Sequence, residues 1–176
     1  EQFKSIFTEK KVLKDKILLQ QGKVSSNFYI IKTGLVASFI KHEDGHDFIR
    51  TLYKPLNELS SLASLIKKEK SNANYRCLTE CIVIQGCFND FLELIEKNPT
   101  FSILYTKVLE KLHLTTEKRI EELTSLDSTE RYIQLKKDIY GIDNLLPQYQ
   151  IAKYLNITPV QLSRIRKKLL VPSLNY

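Results

Sequence analysis

The segment from Gln148 to Leu169 constrains the fold most strongly, because it predicts two short helices joined by a tight turn. Thr158 is a suitable N-cap, since its hydroxyl can accept a hydrogen bond from a free backbone N–H of the first helical turn. Pro159 then occupies the first helical position, and Gln161, three residues after Thr158, completes a capping-box pattern. A helix is therefore expected to begin here.

This second helix has one apolar face and one basic face. Leu162, Ile165 and Leu169 follow the i, i+3, i+7 spacing and so share one side. The other side is mostly polar and basic and consists of Val160, Ser163, Arg164, Lys167 and Lys168. Residues 144–176 contain no Asp or Glu, so the positive charge is not compensated nearby. Such a surface suits a polyanion, although it would also suit a membrane surface or an acidic protein.

The preceding helix ends in a turn that a helix-turn-helix requires. Ile151, Ala152 and Leu155 lie at helical spacing, and Asn156 falls where the chain must turn. Asparagine tolerates the left-handed conformation that such turns often need. Two helices joined by about three or four residues, with a basic outer face on the second, have the form that enters a DNA major groove. The alternative is a helical hairpin with a solvated cationic face.

Length and composition indicate a globular protein. With 176 residues, the chain can bury a core as one large domain or two small ones. We find no run of eighteen apolar residues and no signal-peptide pattern, which favours the cytoplasm and no membrane partner. Cys77, Cys81 and Cys87 form no CxxC pair and lie in a predicted strand, so we expect buried thiols and no metal site.

The first part of the chain, to about Lys97, is rich in strand signals. Short apolar runs are separated by turns at Gly22, Gly34 and Gly45 and lie at Lys16–Gln20, Asn27–Thr33, Leu35–Lys41 and Asp47–Tyr53. This pattern predicts a β-sandwich or a barrel-like roll, with a hairpin at Asp44-Gly45. The polar residues around that hairpin lack the spacing of a metal site and are typical of a solvated turn.

The rest of the first part mixes helix and strand. Leu59, Leu62, Ala63 and Ile66 predict a short helix, and the polar stretch after it predicts an exposed loop. Strands follow at Tyr75–Leu78 and Cys81–Gln85. A second helix then carries Phe88, Phe91, Leu92 and Ile95 and ends at Asn98-Pro99.

The longest helical pattern runs from Pro99 to about Leu126. A coiled-coil-like stripe steps by four and three along Tyr105, Leu109, Leu112, Thr116, Arg119 and Leu123. Phe101, Leu104 and Val108 form a second stripe, so the helix could pack on its own domain and also pair with a second copy. Packing within the monomer alone is the alternative. Asp127 and Glu130 then predict a capped helix from Ser128 that Gly141 ends.

The order of these parts resembles the Crp/Fnr family of bacterial transcription regulators. The resemblance rests on the three glycine turns, on RIEELTSLDSTERY from Arg119, and on IAKYLNITPVQLSRIRKKL from Ile151. The last two segments are especially similar to regulators of this family from Bacteroidetes. The resemblance implies an α+β chain: an N-terminal double-stranded β-helix at 1–98, a jelly roll like that of cyclic-nucleotide-binding domains; a dimerisation helix at 99–127; and an all-α helix-turn-helix domain at 128–176.

The resemblance also implies a homodimer bound to double-stranded DNA, with RNA polymerase as a further candidate partner. The residues that would face base edges are Pro159, Val160, Gln161 and Arg164; those that would lie near phosphates are Thr158, Ser163, Arg166, Lys167 and Lys168. Arginine can pair with guanine and glutamine with adenine. Pro159-Val160 departs from the Arg-Glu pair of the best-known members, so the target site cannot be copied from them. The β-hairpin wing of the family is either missing here or cut off, because only Leu170–Tyr176 remain.

The resemblance breaks down at the ligand site. Cyclic-nucleotide binders of the family carry Gly-Glu-Leu and, later, Arg-Ser-Ala or Arg-Thr-Ala. The corresponding residues here are Glu58 and Leu59, preceded by Asn57, and Ser71, Asn72 and Ala73. The arginine that pairs with the phosphate is missing, and a nearby lysine would replace it only as a point charge. We therefore expect no cofactor, no cyclic AMP (cAMP) binding, and either another small effector or none.

The sequence leaves one alternative function open and argues against another. A cyclic-nucleotide-binding sensor that acts through protein contacts, without DNA, would use the same first part of the chain. An enzyme is not expected, because the sequence contains no nucleophile elbow, P-loop, dinucleotide fingerprint or metalloprotease motif.

Overall fold

A computed structural model describes residues 6–41 and 47–170 of the chain. The chain divides into two compact units, one extending to Lys118 and the other beginning at Arg119. The boundary lies inside the longest helix, so the segment predicted as a separate dimerisation part at 99–127 is shared between the two units. The predicted hairpin tip at Asp44-Gly45 and the residues after Leu170 lie outside the described residues.

The first unit is built on two antiparallel sheets. Its strands within the described residues are β1 (Phe7–Val12), β2 (Ile17–Leu19), β3 (Asn27–Thr33), β4 (Val36–Lys41), β5 (Asp47–Tyr53), β6 (Glu58–Leu59), β7 (Asn74–Cys77) and β8 (Cys81–Cys87). One sheet has the order β1-β8-β3-β6 and the other β2-β7-β4-β5. This is the predicted jelly roll. Strand β1 was not predicted, because three of its six residues, Glu9, Lys10 and Lys11, are charged and the strand shows no apolar alternation. The two-residue strand β6 was not predicted either.

The core of the roll lies between the two sheets. Ile31, Val36, Cys77 and Val83 are fully buried, because each occupies an inward position of its strand. Gly34 turns the chain between β3 and β4 with φ +88°, and a Cβ built there would meet the Glu80 carbonyl oxygen at 2.4 Å. Only glycine fits this turn without displacing backbone.

Three helices follow the roll: α1 (Leu62–Lys67), α2 (Phe88–Lys97) and α3 (Pro99–Ser125). The predicted short helix was wrong in including Leu59, which pairs with Tyr29 as part of β6. The loop after α1 was predicted to be exposed, yet Ser71 and Ala73 are buried. The backbone of Ser71 exchanges hydrogen bonds with Gly22 and Lys23, and Ala73 belongs to the core of the roll; such contacts between distant segments are not visible in hydropathy.

The second unit consists of the end of α3 followed by α4 (Ser128–Asp138), α5 (Ile142–Leu145), α6 (Gln148–Leu155) and α7 (Pro159–Leu170). Asp127 caps α4 as predicted: its Oδ1 accepts from the N–H groups of Thr129 and Glu130 at 2.7 and 2.9 Å. The Asp127 N–H in turn donates to the Glu130 carboxylate at 2.8 Å, which closes the capping box. Gly141, with φ +70°, separates α4 from the one-turn helix α5 that the sequence did not reveal.

Candidate nucleic-acid interface and effector pocket

Helix α7 begins where the sequence predicts, with both halves of its capping box formed. The Gln161 N–H donates to the Thr158 hydroxyl at 3.1 Å, and the Thr158 N–H donates to Gln161 Oε1 at 2.8 Å. Pro159 takes the first helical position, where the missing N–H costs no hydrogen bond. The start of α7 is therefore fixed by local chemistry alone.

The turn before α7 holds the two helices of the motif together. Asn156 adopts the predicted left-handed conformation, with φ 55° and ψ 47°.

The apolar face of α7 is only partly covered. Leu162 is fully buried and Ile165 is 8% exposed, whereas Leu169 is 44% exposed. The covered face of α7 is therefore shorter than the predicted stripe by one turn.

Arg166 anchors α7 to the helices before it. Its guanidinium forms an ion pair with Asp143 of α5, and its Nε donates to the Tyr132 hydroxyl of α4 at 3.1 Å. The Tyr132 hydroxyl donates to the other oxygen of Asp143 at 2.6 Å. Burial, together with the hydrogen bond to Asp143, raises the pKa of Tyr132, so its proton stays in place. The charge of Arg166 is therefore paired inside the second unit, and its contact with a phosphate stays a prediction.

The opposite side of α7 carries the residues predicted to read bases. The residues on this face are exposed and comprise Pro159, Val160, Gln161, Arg164, Lys167 and Lys168. Arg164 and Lys167 have no hydrogen bond or ion pair to another described residue. Gln161 differs, because its side-chain oxygen already accepts a hydrogen bond from the Thr158 N–H. To make two hydrogen bonds with adenine, Gln161 must use the second lone pair of this oxygen or give up its bond with Thr158. Ser163 is half-buried at the edge of this face.

Two arginines that the sequence did not assign to the second unit support helix α6. Arg119 donates to the Tyr154 carbonyl at 2.8 Å, lies 4.1 Å above the Tyr154 ring and forms an ion pair with Glu122 at 3.2 Å. Arg131 donates to the carbonyls of Leu126 and Leu155 at 2.6 and 3.4 Å. Arg119 holds the end of α3 against α6, and its place in a dimer seam stays a prediction.

The other residues of the predicted stripe on α3 lie in different environments. The Tyr105 ring packs against Phe88 and Phe91, with ring centroids 6.3 and 5.8 Å apart. Leu109, Leu112 and Thr116 line a cavity of the first unit, and Leu123 is exposed. The exposed apolar residues of α3 are instead Ile103, Leu104, Leu114, Ile120 and Leu123.

A cavity of about 320 Å³ lies between the roll and α3, entirely within the first unit. The roll contributes Tyr53, Glu58, Leu59, Ser60 and Leu62; α3 contributes Leu109, Leu112, His113 and Thr116. Glu58 and Leu59 thus lie where the sequence predicted an effector. Ser71, Asn72 and Ala73 do not line the cavity. The Ser71 hydroxyl donates to the Ala73 carbonyl at 2.8 Å, so it stabilises its own turn.

The carboxylate of Glu58 is already engaged. Lys111 of α3 donates to Glu58 Oε2 at 2.8 Å and to the Leu56 carbonyl at 2.9 Å. A ligand hydroxyl that sought this carboxylate would compete with an ammonium group. Asn57-Glu58-Leu59 resembles the Gly-Glu-Leu of cyclic-nucleotide binders, but the Glu58 carboxylate is therefore not free to accept a hydrogen bond from a ligand.

Within the described residues, no group of three or more His, Cys, Asp or Glu side chains could hold a metal ion. Among the helices in that part of the chain, none is both long enough and apolar enough to cross a membrane.

Comparisons with known proteins match the first unit best. Residues 9–98 match the family described as the cyclic nucleotide-binding domain. Over 118 residues, the chain is 30% identical to the cAMP-activated global transcriptional regulator CRP of Salmonella typhimurium, and the match covers 66% of this chain and 56% of that protein. The CRP of Escherichia coli O157:H7 matches with the same identity and coverage. The chain therefore spans little more than half the length of these relatives.

Solved structures extend the likeness of the fold to almost the whole chain. FixK2 from Bradyrhizobium japonicum superposes with a TM-score of 0.78 at 15% identity, over 93% of this chain and 84% of that one. The c-di-GMP responsive regulator CLP from Xanthomonas campestris gives a TM-score of 0.68 at 14% identity, over 96% and 88%. At such identities the likeness establishes the fold alone.

Proposed function

Because this chain belongs to the cyclic nucleotide-binding domain family, and within it to the Crp/Fnr regulators, we propose that it is a transcription regulator that binds double-stranded DNA as a homodimer. The proposal places the exposed face of α7 in the major groove. It also makes the first unit the part that responds to a small effector.

One observation carries the DNA-binding proposal: a helix with a fully formed cap presents a basic face that has no carboxylate within residues 144–176. The cap fixes the helix start, and the buried Leu162 and Ile165 fix its rotation. Arg164 is then held outward with no partner among the described residues, as a guanine-reading arginine requires. Lys167 and Lys168 supply attraction to phosphates through release of counterions.

The homodimer proposal rests on the exposed apolar residues of α3. Ile103 and Leu114 are each 63% exposed and lie eleven residues apart, which is three helical turns on one side of the helix. Ile120 and Leu123 are also exposed. A second copy of the same helix would cover such a surface, and it would present two recognition helices to a two-fold symmetric site.

Selection of bound sites from random duplex DNA tests this proposal. We expect the full chain to enrich a two-fold symmetric site whose half-sites are one helical turn apart, centre to centre. Sedimentation of the same preparation should show a dimer. The variants Leu114→Lys and Ile66→Lys form a matched pair, because each replaces an exposed aliphatic side chain, 63% and 58% exposed, with lysine, but only Leu114 lies on α3.

We expect Leu114→Lys to weaken the dimer and to reduce affinity for the full symmetric site more than for a half-site. Ile66→Lys should leave both properties close to those of the wild type. Enrichment of no site, or a monomer that binds half-sites and full sites equally, would contradict the proposal. In that case, a sensor that acts through protein contacts would be the better account.

A further inference from the structure

Val160 occupies the most outward position of helix α7. Successive residues of an α-helix are turned by about 100°, so the buried Leu162 and Ile165 are turned from Val160 by about 200° and 140°. Val160 therefore lies nearly opposite the buried face, and it is 61% exposed. Arg164 and Lys167 follow it at the i+4 and i+7 positions, so these three side chains form one outward ridge.

The backbone on both sides of Val160 is held in place. Before it, the Pro159 carbonyl accepts a hydrogen bond from Nε2 of Gln148, the first residue of α6, at 2.6 Å. After it, Gln161 exchanges two hydrogen bonds with Thr158 at 3.1 and 2.8 Å. A β-branched side chain in a helix has one strongly preferred χ1 rotamer. The two methyl groups of Val160 are therefore presented to the outside in a fixed position.

The neighbours of Val160 in the first turn discriminate little between bases. The Pro159 side chain has no hydrogen-bonding group. The side-chain oxygen of Gln161 accepts from the Thr158 N–H, so among the described residues only its two N–H donors remain unused. Acceptors for such donors face the major groove on guanine, adenine and thymine alike. Val160 is therefore the side chain of this turn that can set a sharper preference.

An apolar side chain can recognise one group in the major groove, the C5 methyl of thymine. The basic residues around Val160, with no Asp or Glu in 144–176, attract the duplex but do not choose a base. Arg164 lies four residues further along α7, which is about 6 Å along the helix axis. At about 3.4 Å per base pair, this separation corresponds to about two base pairs.

We propose that Val160 determines part of the target sequence by packing against the C5 methyl of a thymine, about two base pairs from the guanine that Arg164 contacts. The inference rests on the proposed function, which places α7 in the major groove without naming the bases. It goes further in assigning one base to one apolar side chain. Each half-site is then read by one charged contact and one apolar contact from the same ridge.

Replacement of thymine by uracil tests this inference, because it removes the C5 methyl and leaves base pairing unchanged. The full chain is titrated by fluorescence anisotropy with the selected duplex, in which each thymine of one half-site is replaced in turn. We expect one replacement to weaken binding by the wild type about fourfold, the effect of one buried methyl group. Val160→Ala should bind the two duplexes equally. Val24→Ala, the same change at a valine 52% exposed in the first unit, should keep the fourfold difference.

A second variant, Val160→Thr, keeps the branched shape but replaces one methyl group by a hydroxyl, and it should lose most of the preference for thymine over uracil. The inference is overturned if no uracil weakens binding by the wild type, or if Val160→Ala is weakened equally. A sensitive thymine more than about four base pairs from the guanine would also overturn it. Normal dependence on Arg164 without a uracil effect would refute this inference alone. Selection of no site would refute the proposed function and this inference with it.

Discussion

The ammonium group of Lys111, on the long helix, lies 2.8 Å from a carboxylate oxygen of Glu58, in the short strand β6. The Lys111 side chain is 48% exposed and the Glu58 side chain 19%. This ion pair occupies the carboxylate that a nucleotide ribose would seek, and Glu58 is one of the residues that line the cavity. It therefore bears directly on which ligands the first unit can take.

We expect the full chain to show no saturable binding of cAMP in calorimetry up to millimolar concentration. Two features support this: Lys111 occupies Glu58, and no arginine stands at 71–73 to pair with a cyclic phosphate. Lys111→Met should not restore binding, because it frees the carboxylate without adding a phosphate partner. Micromolar binding of cAMP by the wild type would refute this account of the pocket.

The turn at Gly34 should be intolerant of any side chain. With φ +88° and a prospective Cβ 2.4 Å from the Glu80 carbonyl oxygen, Gly34→Ala combines backbone strain with a clash and should cost about 2 kcal/mol or more. Gly22→Ala is the control, since Gly22 has φ +82° but nothing within 4 Å. Thermal unfolding should therefore rank Gly34→Ala well below Gly22→Ala. Equal loss in the two variants would show that strain alone matters.

Acid should weaken the second unit through Asp127. Hydrogen bonds from the backbone of Glu130 and Thr129 hold the pKa of this carboxyl below its ordinary value of 3.8. The stabilisation is therefore present above pH 3.8 and is lost as the pH falls through the lower folded-state value. Asp127→Asn keeps a capping side chain without the charge. Its melting temperature should lie below that of the wild type at neutral pH, and the gap should begin to narrow below pH 3.8 and close only below the folded-state pKa. A gap that stays constant would contradict this origin.

Two arginines of α7 should behave in opposite ways. Arg166→Ala leaves Asp143 and Tyr132 without their cation and should lower stability by about 2 kcal/mol. Arg164→Ala removes an exposed side chain without a described partner and should change stability by less than about 0.5 kcal/mol. Thermal unfolding of the full-length variants separates the two. Similar losses would mean that Arg164 has a structural role that the fold does not explain.

The sequence predicted the elements whose causes are local. The caps at Asp127 and Thr158, the turn at Asn156 and the start of α7 each depend on residues within about one helical turn, so spacing was sufficient to find them. Strands β3, β4, β5 and β8 were found for a similar reason, since each is a short apolar run between turns.

The sequence could not predict the features that depend on distant partners. The contacts of Arg166 with Asp143 and Tyr132 were not predicted, because these partners are 23 and 34 residues away along the chain. Periodicity showed that α3 has apolar stripes, but not that Tyr105 would face α2 while Ile103 remained exposed.

The most direct test of the central claim compares the wild type, Arg164→Ala and Lys167→Ala by fluorescence anisotropy. Each is titrated with the selected duplex and with a scrambled duplex of equal length, over a series of salt concentrations. We predict that Arg164→Ala loses about 1–3 kcal/mol of preference for the selected duplex. Lys167→Ala should weaken both duplexes alike and reduce the salt slope by about one. If all three proteins bind both duplexes equally at every salt concentration, then α7 does not read DNA.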